Sequence, residues 1–258
     1  MTRDAAGVWS LHVLGAGSAN AVELGSSGGV LERDGQPMLL IDCGPGTLEL
    51  YLRSYGALPP AVFITHAHMD HVAGLERLFY AAWFDPARRG QVKVFAHANL
   101  VPILQARVAD YPNVLAEGGA NFWDGLRLVA VSRGFWLDGW WFDTFATRHH
   151  RPGTSFGVAL PGCFAWTGDT RPIPEALTVV ADAHTLVAHD CGMHGNPSHT
   201  GVDDVEREYP TSLQKRLLLY HYGSTAEADA LRARGFSVAM PGGRYPLHAP
   251  LPVRADAG

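Results

Sequence analysis

The sequence predicts an α/β protein of mixed β-sheets covered by helices, in two broadly similar halves. Three observations carry this. Short apolar runs alternate with helical candidates in places, but follow one another directly at 126–131, 141–146, 156–160 and 164–167. Strand ends run straight into His or Asp at Ile41-Asp42, Thr65-His66, Gly168-Asp169, His189-Asp190 and Tyr220-His221, the edge at which open α/β sheets bind ligands. The 258 residues, 47% hydrophobic and 17% charged, suffice for one large domain with a sizeable core, so residues 1–258 are read as a single domain.

In chain order, strands are expected at 9–14, 38–41, 61–65, 92–96, 126–131, 141–146, 156–160, 164–167, 185–189, 217–220 and 236–240. Helices are expected at 47–55, 75–83, 100–109, 202–209 and 226–234, with Thr200 and Thr225 standing where N-caps would. There is no repeat or low-complexity tract. The opening MTRDAAGVWSLHVLG lacks the apolar region of a signal peptide, and no stretch approaches the ~20 apolar residues of a membrane span. Cys43, Cys163 and Cys191 form no framework and no C-x-x-C pair, and read as buried small side chains in a reducing compartment. The expectation is a cytoplasmic protein. A net charge of -5 argues against a nucleic-acid partner.

The chemistry concentrates in FITHAHMDHVAG, residues 63–74. Alternation on an extended chain sets His66 and His68 on one face, where both can chelate one ion. As the chain turns into a helix, Asp70 and His71 are presented from another direction and suit a second ion. Asp169, after Gly168 in FAWTGDT, and His221, at the end of LLLYHYG, are further ligand types at strand ends. Such imidazole and carboxylate donors accept zinc, iron or manganese. His149 and His150 stand side by side, and on an extended strand at most one of them can face the metals.

The ordered set H-x-H-x-D-H, a lone His, T-G-D-T and a late strand-end His resembles the metallo-β-lactamase superfamily, and LGAGSA and LLIDCGPGT extend the resemblance over nearly the whole chain. The resemblance implies an αββα sandwich with a dinuclear site at one edge of its two sheets. It assigns His66, His68 and the lone His to one divalent metal, Asp70, His71 and His221 to the other, and Asp169 to a bridge. It places the lone His just before a short turn into a Phe-Gly strand, here Phe156-Gly157, so His150 is the expected ligand and His149 a supporting or surface residue. Zinc is the first candidate, with manganese or iron as alternatives.

Within the superfamily the chain looks most like the ribonuclease Z-like phosphodiesterase branch. That branch uses an acidic residue and a later His to protonate the leaving oxygen, which matches Asp190 and His199, with His194 as a rival donor and Asp70 among the catalytic residues. The branch more often carries Glu where Asp190 stands. An alkoxide leaving group needs such a proton, which an imidazole can deliver, while paired metals about 3.5–4 Å apart activate water and clamp the phosphoryl oxygens. The transfer-RNA-gripping arm of ribonuclease Z has no room here: the two strands at 156–160 and 164–167 use nearly all the chain between His150 and Asp169. The expected substrate is therefore a small or cyclic phosphodiester. A thioester or lactone hydrolase is the rival enzyme class, transfer-RNA processing is less favoured, and a metal-binding scaffold is the non-enzymatic alternative. Dimers are common in the superfamily, which leaves a homodimer open.

Smaller features have blander readings. Gly15-Ala16-Gly17-Ser18 reads as a turn near the site, since it lacks the lysine of a phosphate loop. Asp42 reads as a turn or supporting carboxylate, and Arg244 as a site arginine or a plain turn residue. Trp83, Phe84, Trp123, Trp136, Trp140 and Trp141 read chiefly as core.

Overall fold

The apolar runs of the chain feed two seven-stranded sheets. The first holds β1 (Trp9–Gly15), β2 (Gly28–Arg33), β3 (Gln36–Ile41), β4 (Ala61–Ile64), β5 (Lys93–His97) and β6 (Arg127–Val131). The second holds β7 (Gly134–Leu137), β8 (Trp140–Ala146), β9 (Phe156–Leu160), β10 (Phe164–Trp166), β11 (Leu186–Asp190), β12 (Leu217–Tyr220) and β13 (Ser237–Val238). The last strand, β14 (Arg244–Leu247), returns to the first sheet, giving the orders β14-β1-β2-β3-β4-β5-β6 and β13-β12-β11-β10-β9-β8-β7. The computed structural model describes residues 7–252. Residues 1–6, where the N-terminal stretch read above begins, and 253–258 lie outside them.

Both sheets are mixed in the same way. Antiparallel hairpins link β1 to β3 and β7 to β10, and parallel crossovers follow through β6 in one sheet and β13 in the other. Parallel strands covered on both faces have no polar side to show, and AVFI of β4 and LLLY of β12 are buried throughout. The helices α1 (Thr47–Tyr55), α2 (Gly74–Trp83), α3 (Pro174–Val180), α4 (Val202–Glu208) and α5 (Thr225–Ala233) bury one apolar stripe each, such as Leu75, Leu78, Phe79 and Ala82 of α2. Between the sheets Phe135 of β7 stacks on Phe95 of β5 at 4.1 Å, and Trp140 of β8 meets Trp9 of β1 edge-on at 5.4 Å. Together these layers make the αββα sandwich of the metallo-β-lactamase fold. No helix among the described residues is long and apolar enough to cross a membrane.

The differences from the sequence reading are local. β2 and β14 were hidden because Gly-rich GGVLER and the polar-flanked RYPL carry little apolar signal, and β7 because GFWL is short. The 236–240 strand shrinks to Ser237–Val238. The 100–109 helix is a 3-10 turn, an α turn and a π segment in succession. Both cap positions move by one residue. Gly201 precedes α4, because the Thr200 hydroxyl is spent on the Thr170 carbonyl, and Ser224 caps α5 by accepting from Glu227 N–H.

Candidate metal centre and cleft

The strand ends singled out above meet at one edge of the sandwich. β4 stops at Ile64, and His66 bridges to Ser155 just before β9, tying the two sheets together at this point. His66 and His68 follow β4, and a helical turn, Met69–Val72, swings Asp70 and His71 round. That turn lies against Gly44, where a Cβ would sit 1.8 Å from the Asp70 carbonyl oxygen, so only glycine allows the approach. Asp169 follows β10 after Gly168, whose φ of 66° aims the carboxylate inward. Asp190 ends β11, and His221 follows β12 in a left-handed conformation, φ 69°, uncommon for a residue with a side chain.

Three overlapping groups of donor atoms converge, each within 4.8 Å: His66, His68, His149 and Asp169 in one, Asp70, His71, His221 and Asp169 in another, and Asp169, Asp190, His199 and His221 in a third at the rim. Asp169 Oδ2 lies between them, 3.3 Å from the Nε2 atoms of both His71 and His221, 3.7 Å from that of His66 and 3.8 Å from that of His149. His68 approaches through Nδ1, 2.9 Å from His149 Nε2 and 3.2 Å from His66 Nε2.

The pair at 149 and 150 corrects the sequence reading. His149, not His150, enters the cluster, because burial alternates along the extended chain after β8: Phe145, Thr147 and His149 face in, Ala146, Arg148 and His150 face out. His149 Nδ1–H donates to the Ser198 carbonyl at 3.0 Å, which turns its Nε2 to the cluster. The Thr154 hydroxyl gives its hydrogen to the Arg151 carbonyl and so accepts from His150 Nδ1–H at 2.7 Å.

Behind these side chains stands a layer that fixes their rings. Asp42, the supporting carboxylate of the sequence reading, accepts from His71 Nδ1–H, Thr65 N–H and the Thr65 hydroxyl, all at 2.8 Å. His66 Nδ1–H donates to that hydroxyl at 3.0 Å, leaving Nε2 for the cluster. On the other sheet Asp190 Oδ2 accepts from His199 Nδ1–H and Thr170 N–H, both at 2.8 Å, and Asp190 Oδ1 is 3.4 Å from His221 Nδ1. The shorter acid therefore still reaches its histidine. The His199 ring lies on His221 at 4.8 Å and 14° and is one-quarter exposed. His194 is exposed and joins no donor group, and the neighbouring His189 is spent on Tyr209 and its own strand end. Arg244 fits neither the turn nor the site reading: it opens β14 and pairs with buried Glu32 on the first sheet.

The charge states follow from this packing. Burial, reinforced by neighbouring imidazoles, lowers the His66 pKa well below the ordinary value and takes His68 down to about 4; burial also lowers His149. Burial opposes the proton on His71 as well, but Asp169 and Asp42 outweigh it and raise the pKa far above ordinary. For His221 burial is likewise outweighed by Asp169 and Asp190, to about 10. Asp169 is held well below the usual carboxylate range, its burial outweighed by His221 and His71.

The residues fit a pair of divalent cations. His71 Nε2, His221 Nε2 and Asp169 Oδ1 are buried with no hydrogen-bond partner, a cost of about 1–3 kcal/mol each that a shared cation removes. Imidazole nitrogens with carboxylate oxygens are a zinc-like donor set. Sequence reasoning gave His149 only a supporting or surface place, though counting alternate residues from Phe145 reaches it, and it missed Ser198. It also missed Glu227, which lines the cleft beside His199 and His221 and has no sequence signature.

A family model described as "Anti-Pycsar protein Apyc1" matches residues 9–243. The chain is 29% identical to a protein of that name from Paenibacillus harenae, over 91% of this chain and 98% of the relative. It is 28% identical to a ribonuclease Z from Mycobacterium marinum, over 87% of this chain and 81% of that one. Among solved structures, a diphosphatase of the PhnP family superposes with a TM-score of 0.75 at 18% identity, covering 94% of this chain and 99% of that one. From the converging strand ends and these likenesses, the chain is a metallo-β-lactamase-fold hydrolase and belongs to the Anti-Pycsar protein Apyc1 family.

Proposed function

We propose that the protein is a dinuclear-metal phosphodiesterase acting on a small or cyclic phosphodiester, with His199 as proton donor to the leaving oxygen. The observation that carries this is the His199–Asp190 pair, 2.8 Å apart and stacked on His221 at the rim of the cluster. A thiolate leaving group needs no such donor, and an alkoxide does.

His66, His68 and His149 would hold one cation and Asp70, His71 and His221 the other, with Asp169 shared between them. Two divalent cations there, zinc first, manganese or iron alternatively, would supply positive charge for the phosphodiester and activation of water. The chain's own residues do the rest. Asp42 and Ser198 set the imidazole rings. Asp190 binds His199 at Nδ1, which leaves His199 Nε2–H as the proton facing the cleft. Transfer of that proton to the departing ester oxygen leaves a neutral imidazole oriented by the same carboxylate.

Two features favour a small substrate over RNA. β9 and β10 occupy the stretch between His149 and Asp169, so no arm projects there, and the net charge is -5. The interior shared by the two sheets favours a single domain, and the three buried free cysteines favour the cytoplasm.

His199→Ala tests the reading. Cleavage of a 3′,5′-cyclic nucleotide, whose leaving group is an alkoxide, is expected to fall about 10²- to 10⁴-fold while both metals stay bound, and cleavage of bis-p-nitrophenyl phosphate, whose p-nitrophenolate departs without a proton, far less. Undiminished turnover, or a wild-type preference for a lactone or thioester, refutes it.

A further inference from the structure

The loop between β1 and β2 has two faces. Ser18, Ala19 and Asn20 line the cleft beside His199 and His221, while Val22, Glu23, Leu24 and Gly25 line a separate cavity of about 780 Å³. That cavity is walled by apolar side chains, Leu14, Val22, Leu24, Pro45, Leu50 and Pro241, and the imidazole at its surface is His12 of β1, 3% exposed. A built network holds this ring. Buried Glu32 accepts from the Ser10 hydroxyl at 2.7 Å, the Tyr55 hydroxyl at 2.6 Å and Arg244 Nε at 3.2 Å. The Tyr55 hydroxyl has thus spent its hydrogen, and it accepts from His12 Nδ1–H at 2.8 Å. Burial, with Arg244 close by, lowers the His12 pKa, so the ring is neutral at pH 7 and its Nε2 is a bare lone pair. That Nε2 makes no hydrogen bond among the described residues and is not sealed in the interior, so it opens on the cavity.

A lone pair in an apolar cavity of ligand size calls for a donor on whatever fills it. The rim adds no net charge: Arg53 and Glu23 are of opposite sign and unpaired among the described residues, and Glu49 pairs with Arg77. The occupant selected is therefore uncharged and apolar, with one N–H or O–H. Two walls of the cavity lead on to one half of the metal centre. The Leu24 carbonyl accepts from Ala16 N–H at 3.1 Å, and the Ala16 carbonyl accepts from His221 N–H at 2.7 Å. Next to Pro45, Gly44 packs against the Asp70 carbonyl, and Cys43 N–H donates to the His71 carbonyl at 2.8 Å. A molecule packed on both walls braces the backbone of His221 from one side and that of Asp70 and His71 from the other.

We infer that this cavity is an effector site for a small uncharged apolar molecule that donates one hydrogen bond to His12 Nε2, and that filling it tightens cation binding by Asp70, His71 and His221. The coupling rests on the metal-centre reading, whereas the binding rests on the cavity alone. By linkage, a cation in that group tightens the effector by the same factor.

The probe is indole, and 1-methylindole is the control that keeps the ring and lacks the donor. Titrated into the metal-free protein and followed by ¹⁵N NMR, indole should shift the His12 ring and the cavity amides and bind about 10-fold tighter than 1-methylindole, the worth of one hydrogen bond. His12→Asn keeps an N–H for Tyr55 and loses the acceptor, so it should erase that preference. Leu50→Trp fills the cavity and should abolish binding, with circular dichroism establishing that both variants are folded. Saturating indole should raise the zinc affinity of the His71 and His221 group about 5-fold or more in calorimetric titration. Equal binding of the two indoles, or shifts confined to other surfaces, overturns the site. Unchanged zinc affinity overturns the effector role and leaves the metal centre standing, whereas no zinc binding at all removes the metal centre and the coupling together. Absence of indole binding overturns the proposal, and a dimer that Leu50→Trp dissociates would then assign the cavity to a second copy of the chain.

Discussion

The two groups of donors that flank Asp169 differ by one residue type, three histidines against two histidines and Asp70, and are opposite in protonation. In the group of His66, His68 and His149, burial and mutual repulsion push every imidazole below its ordinary pKa, so all three are neutral at pH 7. In the group of Asp70, His71 and His221, buried carboxylates push both imidazoles above it, so both carry protons. Asp169 is the larger cause, 3.3 Å from His71 and His221 but 3.7 and 3.8 Å from His66 and His149, and the layer behind adds to it. Neutral hydroxyl and carbonyl oxygens, of Thr65 and Ser198, hold His66 and His149, whereas charged Asp42 and Asp190 hold His71 and His221. One half offers lone pairs ready for a cation. The other must release protons to take one.

Asp169 is what the halves share, so its removal should do the most damage. Asp169→Ala is expected to lose both cations and all detectable hydrolysis, measured by metal analysis beside an activity assay. A variant retaining one tightly bound cation would show that the groups are independent. His149→Ala is narrower: it should empty the first group alone, dropping the metal content from two ions per chain to one.

The supporting carboxylates separate the halves further. Asp42 spends its bonds on His71 and Thr65 alone, whereas Asp190 holds His221 and His199 together. Asp42→Asn should weaken metal binding by about 10- to 100-fold, with activity recovered at saturating metal. Asp190→Asn should lose activity that added metal does not restore, because the proton donor is unseated as well. Equal recovery in both would sink the distinction.

Protonation gives a graded test. Raised pKa values mean that a cation entering beside His71 and His221 displaces about two protons at pH 7. Affinity there should climb as pH rises, by up to about tenfold per unit for each proton released, and level off above the His221 value of about 10. The first group, whose imidazoles are all held below the ordinary value, should change little above pH 7 and weaken only as acid protonates its rings. Calorimetric titration in buffers of different ionisation enthalpy counts the protons. A pH-independent second site would contradict the charge states argued here.

What the sequence made legible followed from period and spacing. Apolar runs closed by His or Asp located β4, β10, β11 and β12, and with them Asp70, His71, Asp169 and His221, because a strand end fixes where the next side chain emerges. Register across an irregular joint was less legible. The chain leaves the ladder after Ala146 yet keeps alternating, and the choice between His149 and His150 depends on counting from Phe145 inside β8 rather than back from Phe156. Glu227 lay beyond reach, since an acid in the first turn of a helix reads as a helix-capping residue until the fold sets it over Gly192 and Gly223.

The smallest expected effect is the sharpest check on that register. His150 sits 4.9 Å, ring to ring, from His68 and donates to Thr154, but it is exposed and outside both donor groups. Removing its ring takes away one surface hydrogen bond and no donor atom. His150→Ala should therefore keep two ions per chain and change stability by no more than about 0.5 kcal/mol, the usual range for exposed positions. Set beside His149→Ala, it isolates one residue of register with the chemistry of the side chain held constant. If His150→Ala loses an ion and His149→Ala does not, the alternation breaks between Thr147 and Ser155, and the first donor group must be rebuilt around the outer histidine.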